Sequence, residues 1–465
     1  MKNLPMLKDK PIGDVGSPPM GSMVPETMGH GRITKFINGR IVQDGQLVTA
    51  DVLVSADSGQ ILSIEQASSS SSPCQNHTNG LIDHDVVDLD GRVLAPGLID
   101  VQLNGAFGFN FSVLLDNDLS YVKELNRVNK ALVQTGLTSY LPTLTSQPAN
   151  VYRQVLPYLG PTGGLRLAET GCESLGAHCE GPFLSKGKNG IHNLDNLQEP
   201  LNGFEDFEAC YGSDNLSPSS QDGRSSPPRI KMVTAAPEVG KITTDCIPEL
   251  QKRNIIYSIG HSEATYEQAC AAVQRGASMV THLFNAMPPL HHRNPGVLGL
   301  LGHSDASQKP YIGVIADGIH LHPSVVNVAF QSHPDGFILV TDAMHLVGLP
   351  DGTYQWSTDG ACLVKKKSRL SLEGNPDKIA GSAVTLLECV NNFLSWSNAD
   401  VPTALKAVTD TPARMLGLQG VKGSLTPGAD ADLVVLSETK TGARSQLVLE
   451  QTWKFGIKVY DSEEC

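Results

Sequence analysis

The 465-residue sequence contains no run of 18 or more apolar residues, so no segment reads as a membrane-spanning helix. It has no surplus of basic residues either. The formal net charge is −13, which argues against general binding to nucleic acid or to an anionic membrane, both of which need a basic field. A small anionic substrate held by a few local cations stays open. The nine cysteines form no C-x-x-C pair, so neither a disulfide framework nor a structural zinc site is expected. Reduced thiols in a cytoplasmic protein fit this pattern. Residues 1–31 have neither the apolar segment of a secretory signal nor the Arg-rich amphipathic pattern of a transit peptide, and read as a flexible leader. What is present is 40% hydrophobic and 18% charged, an ordinary globular composition with enough apolar residues for a sizeable core.

The chain changes period along its length. Thr34–Val42, Ala50–Val54, Gln60–Glu65 and Asp85–Arg92 alternate polar with β-branched residues and read as short antiparallel strands. A Ser-rich stretch at 67–80 interrupts them. These strands are too few to bury a core alone. Their expected partners lie at the other end, in Gly423–Leu436 and Trp453–Tyr460, so residues 32–94 and 419–465 are expected to form one small discontinuous β-sandwich. Between them, residues 95–418 carry eight apolar strand candidates: Val93–Asn104, Leu137–Leu144, Leu175–Glu180, Ile230–Ala236, Ile255–His261, Met279–Asn285, Tyr311–Asp317 and Phe337–Asp342. Helical patterns separate many of them, at Leu119–Thr135, Val151–Leu159, Glu263–Gly276, Pro323–Ser332 and Leu386–Ser397, with a further helix at Thr403–Leu416. Ser262 is the expected N-cap of the third, with Gly276 at its C′ position. Eight strands with intervening helices predict an α/β fold with a (β/α)8 TIM-type barrel. The Ser-, Pro- and Asp-rich stretch Gly212–Pro228 is expected to be a structureless loop.

The ends of these strands carry the chemistry. Tyr257-Ser-Ile-Gly-His-Ser262, Val280-Thr-His-Leu-Phe-Asn-Ala-Met-Pro288 and Leu339-Val-Thr-Asp-Ala343 are apolar segments that stop at His261, His282 and Asp342. The third strand ends Ala177-His-Cys-Glu-Gly-Pro-Phe-Leu184, and Ala316-Asp-Gly-Ile-His320 follows the seventh. A barrel presents its catalytic groups at the C-terminal ends of its strands. One carboxylate and two imidazoles suit a divalent, zinc-like cation with a position left open for water. Such a cation lowers the pKa of that water from ~16 toward ~7, and a neighbouring carboxylate can take and return its proton.

This ordered set of motifs, with Pro96-Gly-Leu-Ile-Asp-Val-Gln-Leu-Asn-Gly105 on the first strand, resembles the N-acetylglucosamine-6-phosphate deacetylase family of the amidohydrolase superfamily. The likeness runs from about Thr34 to Tyr460. It implies a barrel of the amidohydrolase kind and an acetamide hydrolase of amino-sugar metabolism acting on a phosphosugar. It implies that Glu180, His261 and His282 bind one divalent metal ion, zinc in the first place, with iron, manganese or cobalt also suited. Asp342 would be general base and acid, and His320 would contact the substrate and polarise the acetamide carbonyl. Ile191, His192, Asn285, Ala286, Arg293 and the Ala380-Gly381-Ser382 loop would face the sugar and its phosphate. Arg293 would reach the neighbouring subunit's site in a homodimer. Many members of the superfamily carry His-x-His on the first strand and hold two metals. Gln102-Leu-Asn104 stands there in this chain, and neutral amides are poor zinc ligands, so one metal is expected. Another amidohydrolase activity, such as a deaminase or cyclic-amide hydrolase, is the alternative enzyme, and it generally uses the missing His-x-His. A catalytically dead scaffold would be expected to have lost the ligand residues that are intact here.

Overall fold

The computed structural model describes residues 32–464 except 44, 67–83, 116, 222–223, 306–307, 356–361 and 443. The expected leader and the Ser-rich stretch at 67–80 lie outside the described residues.

Eight parallel strands form the centre: β1 (Leu98–Leu103), β2 (Leu137–Leu144), β3 (Ala177–Glu180), β4 (Ile230–Ala235), β5 (Ile256–Ile259), β6 (Ala277–Val280), β7 (Tyr311–Ile315) and β8 (Phe337–Val340). Each pairs with the next in sequence order, from Leu98 opposite Leu137 round to Ile315 opposite Val340. The ring closes at its C-terminal rim, where Leu103 bridges Ala343 and the Asp342 N–H donates to the Gln102 carbonyl at 2.9 Å. Every residue of β1, β2, β3 and β8 is buried. Helices cover the outer face and side chains fill the inside, which suits β8, a continuous apolar run, while β1, β2 and β3 also bury polar residues such as Asp100, Ser139 and His178. The closure places all eight strand ends around one mouth.

Helices Asp118–Leu132, Ala149–Val155, Tyr266–Gln274, Pro323–Ser332 and Leu386–Trp396 lie where the sequence places them. Two details differ. The N-cap of Tyr266–Gln274 is Thr265, in a capping box with Gln268; a Thr-x-x-Gln pair satisfies two orphan N–H groups where Ser262 would satisfy one. The Ser262 hydroxyl donates instead to Glu238 at 2.7 Å. The helix expected at Thr403–Leu416 is broken into Val401–Lys406 and Asp410–Met415. Pro412 has no N–H to continue the upstream helix, and Thr409 turns out of helical geometry at φ −132°, ψ −83°. The stretch expected to be structureless holds a helical turn at Ser213–Leu216 and a hairpin of Ser219–Gln221 with Arg224–Ser226.

The two chain ends meet in a small β domain. Val93–Pro96 pairs antiparallel with Leu433–Thr441, so strands from both ends share one eight-stranded sheet. That sheet curls over on itself, with Gln60 bridging Asp430, around a core that includes Phe36, Val52, Val54, Leu433, Val435 and Trp453. A second insertion follows β8: a four-stranded antiparallel sheet, Gly352–Gln355, Cys362–Lys366, Arg369–Leu372 and Asn375–Ser382. Its last strand returns to the barrel rim, where Ser382 bridges Ala343.

Candidate active site

A cavity of about 240 Å³ opens at the C-terminal ends of the strands. Glu180, Ile191, His192, His261, His282, Asn285, Ala286, His320, Asp342 and Gly381 all line it. Of the expected site residues, Arg293 is exposed on the loop after β6, away from this cavity. Ala380 and Ser382 are buried beside Gly381 in a strand end rather than a loop. No lysine or arginine is among the described residues that line the cavity.

At its floor Glu180 Oε1 lies 2.9 Å from His261 Nε2 and 2.9 Å from His282 Nε2, and the two imidazole nitrogens are 3.0 Å apart. A backbone carbonyl fixes the tautomer of His261. Its Nδ1 is 2.7 Å from the Lys188 carbonyl and must carry a proton, so Nε2 is the nitrogen left to serve as a ligand atom. Two nitrogens bonded to one tetrahedral cation at ~2.05 Å would stand ~3.3 Å apart, close to the spacing present. The three residues therefore fit a divalent cation. Burial would raise the Glu180 carboxyl, yet hydrogen bonds from His261 and His282 prevail and hold it well below the usual range. Burial likewise works to lower His282, but the Glu180 carboxylate beside it lifts its pKa to about 9. A proton and a cation therefore compete for this set of atoms.

His192 Nε2 is 4.0 Å from Glu180 Oε1, and His192, Glu180 and His261 together could also be read as a ligand set. Geometry excludes His192. Its Nδ1 accepts the Ser146 N–H at 3.0 Å, so the proton sits on Nε2, which becomes a donor to the cavity. Burial, with His261 adding to it, lowers the His192 pKa to about 3 and keeps the ring neutral. The other buried acidic group among the described residues, Glu173 with Asp430 and Asp432, is closed by ammonium groups. Lys422 lies 2.9 and 2.8 Å from the two aspartates, and Lys454 lies 2.6 Å from Asp432.

The two amides, Gln102 on β1 and Asn104 just past its end, do more than replace a missing His-x-His. Gln102 Nε2 donates to Glu180 Oε2 at 3.1 Å, and Asn104 Nδ2 donates to Asp342 Oδ1 at 2.8 Å. Each amide orients one carboxylate, and each keeps its own buried oxygen unpartnered. Burial and the negative charge of Glu180 raise Asp342 to about 6, against the pull of His282 and His320. His320 Nδ1 donates to Asp317 Oδ2 at 2.8 Å, while Asp317 Oδ1 accepts the N–H groups of Ile319 and His320. Burial opposes the charged imidazole, but this carboxylate wins and raises the His320 pKa. Asp317 escaped the reading of the sequence, although the Asp-x-x-His spacing of 317 and 320 could have revealed it. The lining residues Thr145, Met344 and Ile379 carry no comparable signal.

The backbone is strained where the chemistry sits. His261, His282 and Asp342 have φ of 49°, 30° and 45°, a region non-glycine residues seldom occupy and one that costs ~1–3 kcal/mol each. Next to Glu180, the Gly181 carbonyl accepts hydrogen bonds from the buried Tyr152 and Tyr211 hydroxyls at 2.9 and 2.8 Å.

Comparison with known proteins places the chain in a family. Residues 93–456 match the amidohydrolase family. Over 425 residues the chain is 37% identical to N-acetylglucosamine-6-phosphate deacetylase of Danio rerio, covering 91% of this chain and 97% of that one. It is 35% identical to the same enzyme of Homo sapiens over 427 residues, 91% and 96% of the two chains. The chain belongs to the N-acetylglucosamine-6-phosphate deacetylase family of amidohydrolases. Solved structures of this family share the fold. That from Pasteurella multocida has a TM-score of 0.72 at 26% identity and covers 92% of this chain and 99% of its own. One from Mycobacterium smegmatis, in complex with N-acetyl-D-glucosamine 6-phosphate, has a TM-score of 0.71 at 25% identity and covers 93% and 100%. Membership makes the chain a hydrolase of the deacetylase kind, built on the amidohydrolase barrel.

Proposed function

We propose that this protein hydrolyses the acetamide of N-acetyl-D-glucosamine 6-phosphate to D-glucosamine 6-phosphate and acetate. The observation that carries the reading is the convergence of Glu180, His261 and His282 on one point, in a cavity that also presents Asp342 and His320. One divalent cation is proposed on those three residues, zinc in the first place, with iron, manganese or cobalt also suited. Bound there, it would lower the pKa of a water and polarise a carbonyl oxygen.

The chain's own residues supply the rest. Asp342, oriented by Asn104, takes the proton of the attacking water and returns it to the amine nitrogen as the C–N bond breaks. His320, held by Asp317, donates toward the carbonyl oxygen as negative charge develops there. Ile191, His192 and the Ala380–Ser382 segment flank the sugar, and Asn285 and Ala286 lead toward the phosphate. Among the described residues no lysine or arginine lines the cavity of a single chain, so a guanidinium or ammonium for the phosphate has to come from outside it. Arg293 of a second subunit in a homodimer fills that role, with the bidentate geometry a guanidinium offers. The five buried cysteines among the described residues are free thiols, which accords with a reducing, cytoplasmic setting.

The test is product analysis. Metal-loaded protein incubated with N-acetyl-D-glucosamine 6-phosphate should release one acetate and one primary amine per sugar, and chelation should stop both. Ammonia from a nucleobase, with no acetate from the sugar, would move the protein to a deaminase.

A further inference from the structure

Beneath the cavity floor lies a chain of buried polar side chains that the proposed reaction leaves unused. His178 sits on β3 two residues before Glu180, so both side chains point into the barrel. His178 Nε2 is 2.7 Å from Thr234 Oγ1, Thr234 Oγ1 is 2.6 Å from Thr281 Oγ1, and Thr281 Oγ1 is 2.5 Å from Ser258 Oγ. All four residues are at most 1% exposed, so no bulk water completes their hydrogen bonds.

The direction of every proton in this chain is determined. The other ring nitrogen, His178 Nδ1, is 3.3 Å from Thr143 Oγ1, which donates its own proton to the Leu141 carbonyl at 3.1 Å. With its proton spent there, the Thr143 hydroxyl can only accept from the ring, so Nδ1 carries the proton and Nε2 is bare. Thr234 must then donate to His178, Thr281 to Thr234, and Ser258 to Thr281, since each hydroxyl has one proton. A single histidine tautomer thus orders side chains on β3, β4 and β5 and at the end of β6.

Each link connects to a proposed cation ligand through its strand or strand pair. Thr281 immediately precedes His282, Ser258 stands three residues before His261, His178 shares a strand with Glu180, and Thr234 is the partner of Glu180 across the β3–β4 ladder. His261 and His282 hold left-handed backbone, with φ of 49° and 30°, and strain of that kind persists only where the surroundings over-determine it. Packing adds to the constraint. A Cβ on Gly260 would lie 2.6 Å from Thr234 Cγ2 and 3.0 Å from Thr281 Cβ, so the turn into His261 rests directly on the two threonines.

We infer that His178, Thr234, Thr281 and Ser258 are positioning residues that pre-set the geometry of the cation ligands Glu180, His261 and His282, and so set the affinity of the site for its metal. The inference rests on that ligand assignment. Partners that orient metal ligands typically change affinity by 10–100-fold when removed.

The test uses zinc alone as the probe, measured by competition with a chromophoric chelator on the full-length protein, without any turnover assay. Thr281→Val removes the hydroxyl at nearly constant shape and should weaken zinc binding by about 10–100-fold, whereas Thr281→Ser, which keeps the hydroxyl, should stay within about threefold of the parent. Thr234→Val and Thr234→Ser form a second pair should the first valine variant fail to fold, and circular dichroism of the metal-free proteins checks that. Equal affinity in the folded Val and Ser variants of either pair would overturn the network. Glu180→Gln separates the two levels of the argument. If it binds zinc as the parent does, the ligand assignment is wrong. If it loses zinc while both valine variants keep parental affinity, the ligands stand and the positioning role falls.

Discussion

Replacing Asp342 by Asn isolates proton transfer from binding. The change removes one charge and keeps the volume. The new side-chain oxygen can still accept from Asn104, now 2.8 Å from Asp342 Oδ1, and asparagine tolerates the left-handed backbone at φ 45° better than most residues. The fold and the cation site, which is built from other residues, should survive. What is lost is a group that acts twice, as base toward water and as acid toward the departing amine. General acid–base catalysis contributes ~10²–10⁴-fold, so the dual loss should lower kcat by at least about 10³-fold, or about 4 kcal/mol at 1.36 kcal/mol per decade. The Michaelis constant should change little. The pH profile gives an independent readout. Asp342 works as a carboxylate, and burial with the charge of Glu180 raises its pKa to about 6, so the parent's rate should fall as pH drops through that value. A cation on Glu180 offsets the repelling charge and moves this limb lower, never higher. In Asp342→Asn the limb should vanish from what activity remains. The assay is acetate release at saturating substrate, with metal content measured on the same samples. A variant that keeps one metal per chain and more than about a tenth of parental kcat would refute the proton-transfer role.

Other outcomes follow from the same geometry. Elemental analysis should give about one metal per chain in the parent and less than a tenth of that in Glu180→Gln; two tightly held metals would show that Gln102 and Asn104 are ligands after all. A cation must displace the proton that Glu180 holds on His282, whose pKa is lifted to about 9. Apparent metal affinity should therefore rise up to about tenfold per pH unit between pH 6 and 8, with proton release seen by calorimetry in buffers of different ionisation enthalpy. Arg293→Ala should raise KM for the phosphorylated sugar by at least about tenfold, with little effect on kcat. An unchanged KM would remove Arg293 from the phosphate site.

The barrel was legible in the sequence because its strands are short, largely apolar segments spaced by helical patterns, and β8 is a continuous apolar run that stops at Thr341 and Asp342. Glu180, His261, His282 and Asp342 stand out for the same reason: the hydrophobic pattern stops at them. The helix at 403–416 misled because its apolar spacing outlasts its backbone. Pro412 breaks the hydrogen-bond ladder without disturbing the pattern, and only the turn at Thr409 shows it. Gln102 and Asn104 were legible as missing ligands, but their work as donors to Glu180 and Asp342 depends on strand pairing across the barrel, which spacing along one strand does not contain. The buried Thr234, Ser258 and Thr281 look in sequence like ordinary β-strand residues; only closure of the ring aligns them with His178. Arg293 is the converse case, a residue conspicuous in its loop that the single chain leaves outside the cavity.

The central claim is that the cavity is built for a phosphorylated N-acetylated amino sugar, with its acetamide over Glu180, His261 and His282. Acetate release from N-acetyl-D-glucosamine 6-phosphate and from unphosphorylated N-acetyl-D-glucosamine, measured side by side on zinc-loaded protein, tests it most directly. A phosphate gripped by a guanidinium and backbone donors should favour the phosphorylated sugar by about 10³-fold or more in kcat/KM, about 4 kcal/mol. Equal rates on the two sugars, or no acetate from the phosphorylated one, would contradict the account.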